Sequence, residues 1–202
     1  MSGLPDAGLE NPPQNPFDLF ERWYADARTH ERHEPTAMTL ATADVTGRPA
    51  ARVVLLKQFD RDGVVFYTNL GSRKSTDLAA NPQAAILFWF PVLERQVRIE
   101  GRVVRVPDAD ADAYFAGRPR ASQLGAWTSL QSTPLETRAM MEDRLAGYTA
   151  QFADGPVPRP PYWGGWRLVP DRFEFWHERP ARLHDRVIYA LDGDWQHARQ
   201  YP

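Results

Sequence analysis

This 202-residue sequence predicts a mainly β fold with flanking helices (α+β), its strands forming an antiparallel barrel. Three observations carry the expectation. Short apolar, β-compatible runs follow one another through residues 37–106 at hairpin spacing. Turn signals separate them, Val45-Thr-Gly-Arg48 and Asp60-Arg-Asp-Gly63 being the clearest. Helical periodicity is confined to flanking segments, so a βαβ alternation is absent and a barrel is the better architecture.

In chain order, residues 1–16 are rich in Pro, Gly and Asn and read as a mobile tail; residues 17–202 read as a single domain. Pro16 suits a helix start, and Phe17, Leu19, Phe20, Trp23 and Tyr24 recur at helical spacing to about residue 30. Strands are expected over 37–43, 51–59 and 64–68. A short helix over 71–81 stops at Pro82, and two further strands cover 84–90 and 95–106. Helical patterns return at 108–116 and 134–152. The Pro-rich stretch 155–161 then leads to strands at 166–169, 172–177, 187–191 and 195–199.

Composition narrows the chemistry. There is no cysteine, which removes disulfides, thiolate metal sites and thiol nucleophiles. The formal charge of −2 lacks the basic surplus of a nucleic-acid binder, so no nucleic-acid partner is expected. The longest apolar run, 84–92, is too short for a bilayer, and the opening residues lack a signal-peptide pattern. A soluble, cytoplasmic chain with no membrane partner is the expectation. The five histidines lack ligand spacing, so no metal is expected, and neither G-x-G-x-x-G nor a P-loop occurs.

Four segments carry candidate chemistry. In Thr68-Asn-Leu-Gly-Ser-Arg-Lys74 a strand gives way to a helix that Ser72 can cap, with Arg73 and Lys74 in its first turn. Cations are disfavoured at a helix N-terminus, so the pair reads either as a phosphate cradle or as a solvated basic turn. Arg52-Val-Val-Leu-Leu-Lys57 puts one cation on each face of a strand, either as ligand groups or as an exposed rim. Tyr114, Arg118 and Ser122 recur every four residues, although Pro119 interrupts an ideal helix. Together they form either a phosphate grip or an amphipathic turn with incidental polar groups. In Arg182-Leu-His-Asp-Arg186, strand alternation puts Arg182, His184 and Arg186 on one side, where an anion would relieve their repulsion.

These segments resemble the pyridoxine/pyridoxamine 5′-phosphate oxidase family. The similarity also covers Val65-Phe-Tyr-Thr-Asn-Leu-Gly-Ser-Arg-Lys74, Leu93-Glu-Arg-Gln-Val97, Arg118-Pro-Arg-Ala-Ser-Gln-Leu-Gly-Ala-Trp127, Gln131-Ser132, Trp163-Gly-Gly165 and Glu174-Phe-Trp176, all in the family's order. The resemblance implies an antiparallel FMN-binding split β-barrel and a homodimer with FMN between subunits. It implies that Arg73 and Lys74 bind the FMN phosphate. Arg52, Lys57, Tyr67, Thr68, Gln96, Gln131, Ser132, Trp176 and Arg186 complete the flavin site. Lys57, Tyr114, Arg118 and Ser122 grip the substrate phosphate, and Arg182 and His184 are the catalytic pair over the pyridine ring. The implied reaction oxidises C4′ of pyridoxamine or pyridoxine 5′-phosphate, with hydride passing to the flavin and then to dioxygen, giving hydrogen peroxide.

Three places depart from the family pattern: a short N-terminal arm with no Arg before Arg22, His177-Glu-Arg-Pro180 after the Phe-Trp pair, and Arg199-Gln-Tyr-Pro202 at the C-terminus. Two other readings stand beside the oxidase. One is a related split-barrel flavin oxidase for another aromatic substrate, as in phenazine biosynthesis. The other is a non-catalytic binder of FMN or pyridoxal phosphate.

Overall fold

The structure, a computed structural model, describes residues 5–202. Helix α1 (Pro16–His30) begins where Pro16 needs no N–H partner and the Asn15 side chain accepts from the Phe17 N–H at 3.0 Å. Its inner face buries Phe17, Leu19, Phe20, Trp23 and Ala27. Each large side chain so buried contributes on the order of 2 kcal/mol.

Nine strands follow: β1 (Ala37–Ala43), β2 (Pro49–Leu55), β3 (Gln58–Asp60), β4 (Gly63–Asn69), β5 (Gln83–Phe90), β6 (Arg95–Arg105), β7 (Trp163–His177), β8 (Asp185–Asp192) and β9 (Asp194–Arg199). The order is β2-β1-β5-β6-β7-β4-β3, with β8 added on β7 and β9 on β8, and every pairing is antiparallel. The sheet curls into a half-barrel around Phe66, Phe88, Ile99, Leu168, Phe173 and Phe175. Between strands lie α2 (Arg73–Ala80), α3 (Asp108–Ala116), α4 (Arg120–Thr128) and α5 (Arg138–Gln151). Among the described residues no helix is long and apolar enough to cross a membrane.

Four elements differ from the sequence expectation. The strand expected over 51–59 is broken at Leu56 and Lys57 into β2 and β3. The strands expected at 166–169 and 172–177 are one strand, β7. It passes Pro170 through a bulge where Gly101 and Glu100 pair with Pro170 and Arg172. Gly101 is needed there, because a Cβ would lie 2.1 Å from the Val169 carbonyl oxygen. Pro119, read as a helix breaker, instead sits as the N-cap of α4. Finally, residues 5–15, within the expected mobile tail, lie against the barrel. Ala7 and Leu9 are buried, Trp23 Nε1 donates to Ala7 O at 2.7 Å, and Tyr189 Oη donates to Pro13 O at 2.7 Å. The first four residues of that tail lie outside the described residues.

Candidate functional site

The end of β4 and the start of α2 form a cationic cradle. Asn69 sets the turn between them: its Oδ1 accepts from the Gly71 N–H at 2.8 Å, and its carbonyl accepts from Ser72 Oγ at 2.7 Å and Ser75 Oγ at 3.1 Å. Ser72 thus occupies the N-cap position without capping through its side chain. The Arg73 N–H meets Ser132 Oγ at 3.3 Å. Lys74 Nζ donates to Gln131 Oε1 at 2.6 Å and to Thr68 Oγ1 and Ser72 Oγ, both at 3.0 Å.

Arg52 reaches in from β2, donating to Thr42 Oγ1 at 2.8 Å. Its Nη2 lies 3.8 Å from buried Asp77, which also accepts from Thr42 Oγ1 at 2.7 Å. Burial and then the Arg52 charge lower the Lys74 pKa to about 8. Burial also lowers Arg52, with Asp77 opposing and Arg73 adding to the shift. Among the described residues no carboxylate pairs with Arg73 or Lys74. Mutually repelling cations beside open helix N–H groups fit a phosphate.

A cavity of about 390 Å³ adjoins this cradle, lined among others by Tyr67, Thr68, Arg118, Ser122, Gln131 and Trp163. Its aromatic wall is a parallel stack: Tyr67 lies 4.2 Å from Tyr114 and 5.2 Å from Trp163, each pair within 3° of parallel. Gly165 makes room for it, since a Cβ there would sit 2.8 Å from the Tyr67 ring. The Arg118 guanidinium lies 4.8 Å from the Trp163 ring centroid and 5.4 Å from that of Phe115. Its Nη1 is buried without a hydrogen-bond partner, and burial lowers the Arg118 pKa against the opposing effect of Tyr114. A buried guanidinium with an unused donor fits an anionic ligand oxygen. Lys57 lies elsewhere, in a cleft with Tyr24 and Arg28.

The remaining candidates gather at the far end of β7. Gln96 pairs in register with Trp176, whose ring lies 4.6 Å from that of His184. Arg186 Nε donates to buried Glu174 at 3.0 Å and Nη1 to Tyr201 O at 2.7 Å. The extended 182–186 segment expected from alternation is not formed. Pro180–Arg182 is a 3₁₀ turn with φ of 58° at Ala181 and 62° at Arg182, and β8 starts only at Asp185. The Arg179 N–H donates to His184 Nδ1 at 3.2 Å, which leaves Nε2 to carry the proton of the neutral ring. Arg182 is exposed and forms no ion pair among the described residues.

Trp163 and Trp176 bound these two groups on one strand, separated by roughly 40 Å of contour at 3.3 Å per residue. One chain therefore carries two separate groups of candidate residues. Sequence reasoning gave no role to Asn69, Asp77, Trp163 or Glu174. The Trp163-Gly-Gly165 string was the one available signal, since paired glycines beside an aromatic permit close ring approach.

A family model described as pyridoxamine 5′-phosphate oxidase matches residues 26–152. A second, the pyridoxine 5′-phosphate oxidase C-terminal dimerisation region, matches residues 163–202. A pyridoxine/pyridoxamine 5′-phosphate oxidase of Nitrobacter winogradskyi is 54% identical over 192 residues, covering 94% of this chain and 90% of its own. That of Rhodospirillum rubrum is 53% identical and covers all of both chains. Among solved structures, PhzG from Burkholderia lata, in complex with tetrahydrophenazine-1-carboxylic acid, superposes with a TM-score of 0.91 at 32% identity. The match covers 99% of this chain and 98% of that one.

Proposed function

The chain belongs to the pyridoxine/pyridoxamine 5′-phosphate oxidase family, and from that premise we infer that it is an FMN-dependent oxidase converting pyridoxamine or pyridoxine 5′-phosphate to pyridoxal 5′-phosphate. The observation that carries the reading at the site is a cavity lined on one side by Thr68 and Gln131, the partners of Lys74, and on the other by Arg118 with its bare Nη1. Two phosphorylated molecules held side by side need such a pair.

Arg73, Lys74, Ser132 and the α2 N-terminus would hold the FMN phosphate, with Arg52, Tyr67, Thr68 and Gln131 around the rest of the cofactor. Arg118, Ser122 and Tyr114 would hold the substrate phosphate; Lys57, in a separate cleft of the same chain, would reach such a phosphate only on a partner subunit. Bound FMN would supply the redox chemistry, with dioxygen as the final electron acceptor. The protein's part is placement. Gln96, Trp176, Arg182, His184 and Arg186 belong to the half-site at the other end of β7, so they would act on the cofactor and substrate held by a partner subunit. The match to a dimerisation region at 163–202 supports a homodimer with FMN at its interface. Exposed Val53 and Leu55 on edge strand β2 give that interface apolar surface to bury. In the composite site Arg182, exposed and unpaired, would lie over the pyridine ring and favour its phenolate, while His184 orients the ligand.

A second reading, oxidation of a larger aromatic as in phenazine formation, draws on the PhzG superposition. Anaerobic titration separates the two. Pyridoxamine 5′-phosphate should bleach the oxidised flavin band, and admitting air should restore it with release of peroxide. A band unchanged by both B6 phosphates, yet bleached by a dihydroaromatic acid, would sink the first reading in favour of the second.

A further inference from the structure

Helix α4 turns Ser122, Gly125 and Ala126 toward the cavity, positions three and four apart on one helical face, and its C-cap Ser129 lines the same space. Gly125 is the position with no side chain at all. A helix interior favours alanine over glycine, and a Cβ placed on Gly125 meets no atom within 4 Å. Packing therefore gives no reason for glycine here. Gly147 in α5 provides the contrast: its Cβ position is equally open, but it is exposed and does not line the cavity. What distinguishes Gly125 is the space it borders, shared with Arg118, Ser122 and Trp163. Trp163 is buried and held in the ring stack, so that wall cannot retreat to make up lost width.

We propose that Gly125 is a specificity-determining residue: its missing side chain leaves the width that the phosphorylated pyridine needs beside Arg118 and Ser122. This rests on the B6 phosphate oxidase reading and deepens it. A methyl group at 125 would leave the helix intact and project into the ligand's space. A larger side chain would exclude the ligand progressively.

The test uses three FMN-loaded variants: Gly125→Ala, Gly125→Leu and Gly147→Ala. For each, four quantities are measured: Tm, FMN bound per chain, Kd for pyridoxal 5′-phosphate by absorbance titration, and KM and kcat for pyridoxamine 5′-phosphate. Both alanine variants should raise Tm by about 2 °C, the helix-propensity gain for a chain of this size. Gly147→Ala should keep the wild-type Kd and KM. Gly125→Ala should raise both by roughly tenfold, the effect of one methyl in a fitted pocket. Gly125→Leu should raise them further, with FMN content held in both. Unchanged Kd and KM in both Gly125 variants would overturn the proposal and leave the oxidase reading standing. So would loss of FMN with unchanged product affinity. A wild-type protein that oxidises neither B6 phosphate overturns both, a result visible before any variant is made.

Discussion

Lys74 shows how a single side chain sets a measurable pH dependence. Burial and the nearby Arg52 depress its pKa to about 8, so without a ligand it holds its proton below that pH and loses it above. An anion is bound by the protonated form. FMN affinity of the apoprotein should therefore be level at lower pH and weaken as pH rises through about 8, followed by quenching of flavin fluorescence. Lys74→Met should bind more weakly throughout and lose the step near 8. A step that survives the substitution would remove Lys74 from the phosphate grip. For the empty fold the sign is opposite. The unfolded chain keeps this proton to higher pH than the folded one, so the Lys74 contribution to stability grows between about 8 and 10.5. Arg73 and Lys74 were legible from the sequence because two cations in a first helical turn oppose the helix dipole. Asp77, which balances Arg52, was not, since Asp77 lies on α2 and Arg52 on β2, and no local spacing links them.

At the level of elements, turns were read better than strand ends. Asp60-Arg-Asp-Gly63 marks the β3–β4 hairpin, and Gly63 adopts a φ of 127°, where a side chain is strained. A Cβ there would also lie 2.0 Å from the Leu168 carbonyl oxygen on β7. Gly63→Ala should cost on the order of 3 kcal/mol, read as a lower urea midpoint at unchanged slope. A midpoint within error of wild type would mean that the hairpin relaxes freely away from β7. The continuity of β7 through Pro170 was not legible, because proline ordinarily ends a strand and the bulge that tolerates it depends on Gly101 of β6. Nor was the turn at Ala181 and Arg182, since neither residue type announces a left-handed backbone. α4 was missed for a related reason: Pro119 ends one helix and begins the next, and only packing of Leu124 against Phe115 and Trp163 decides between them.

At the scale of the molecule, the proposal that the residue groups at opposite ends of β7 are half-sites makes a prediction about mixtures. Arg73→Ala damages one half-site and Arg182→Ala the other, so each homodimer should be impaired at both of its sites. Arg73→Ala should lose FMN first, and Arg182→Ala should lose turnover while keeping it. Mixed and allowed to exchange subunits, the two should regain roughly a quarter of wild-type activity, because half the dimers are hybrids with one intact site of two. No recovery on verified exchange would put both half-sites to work within one chain. The segment at residues 5–15 has its own consequence at this scale. Arg199 Nη2 donates to Leu9 O across 190 positions, and Tyr189 reaches Pro13 across 176. Ala7 rests on nearby Trp23, but Leu9 and Pro13 are held by side chains of β9 and β8. That seam closes through contacts of very high sequence separation, whose loop-closure cost makes it a late step of folding.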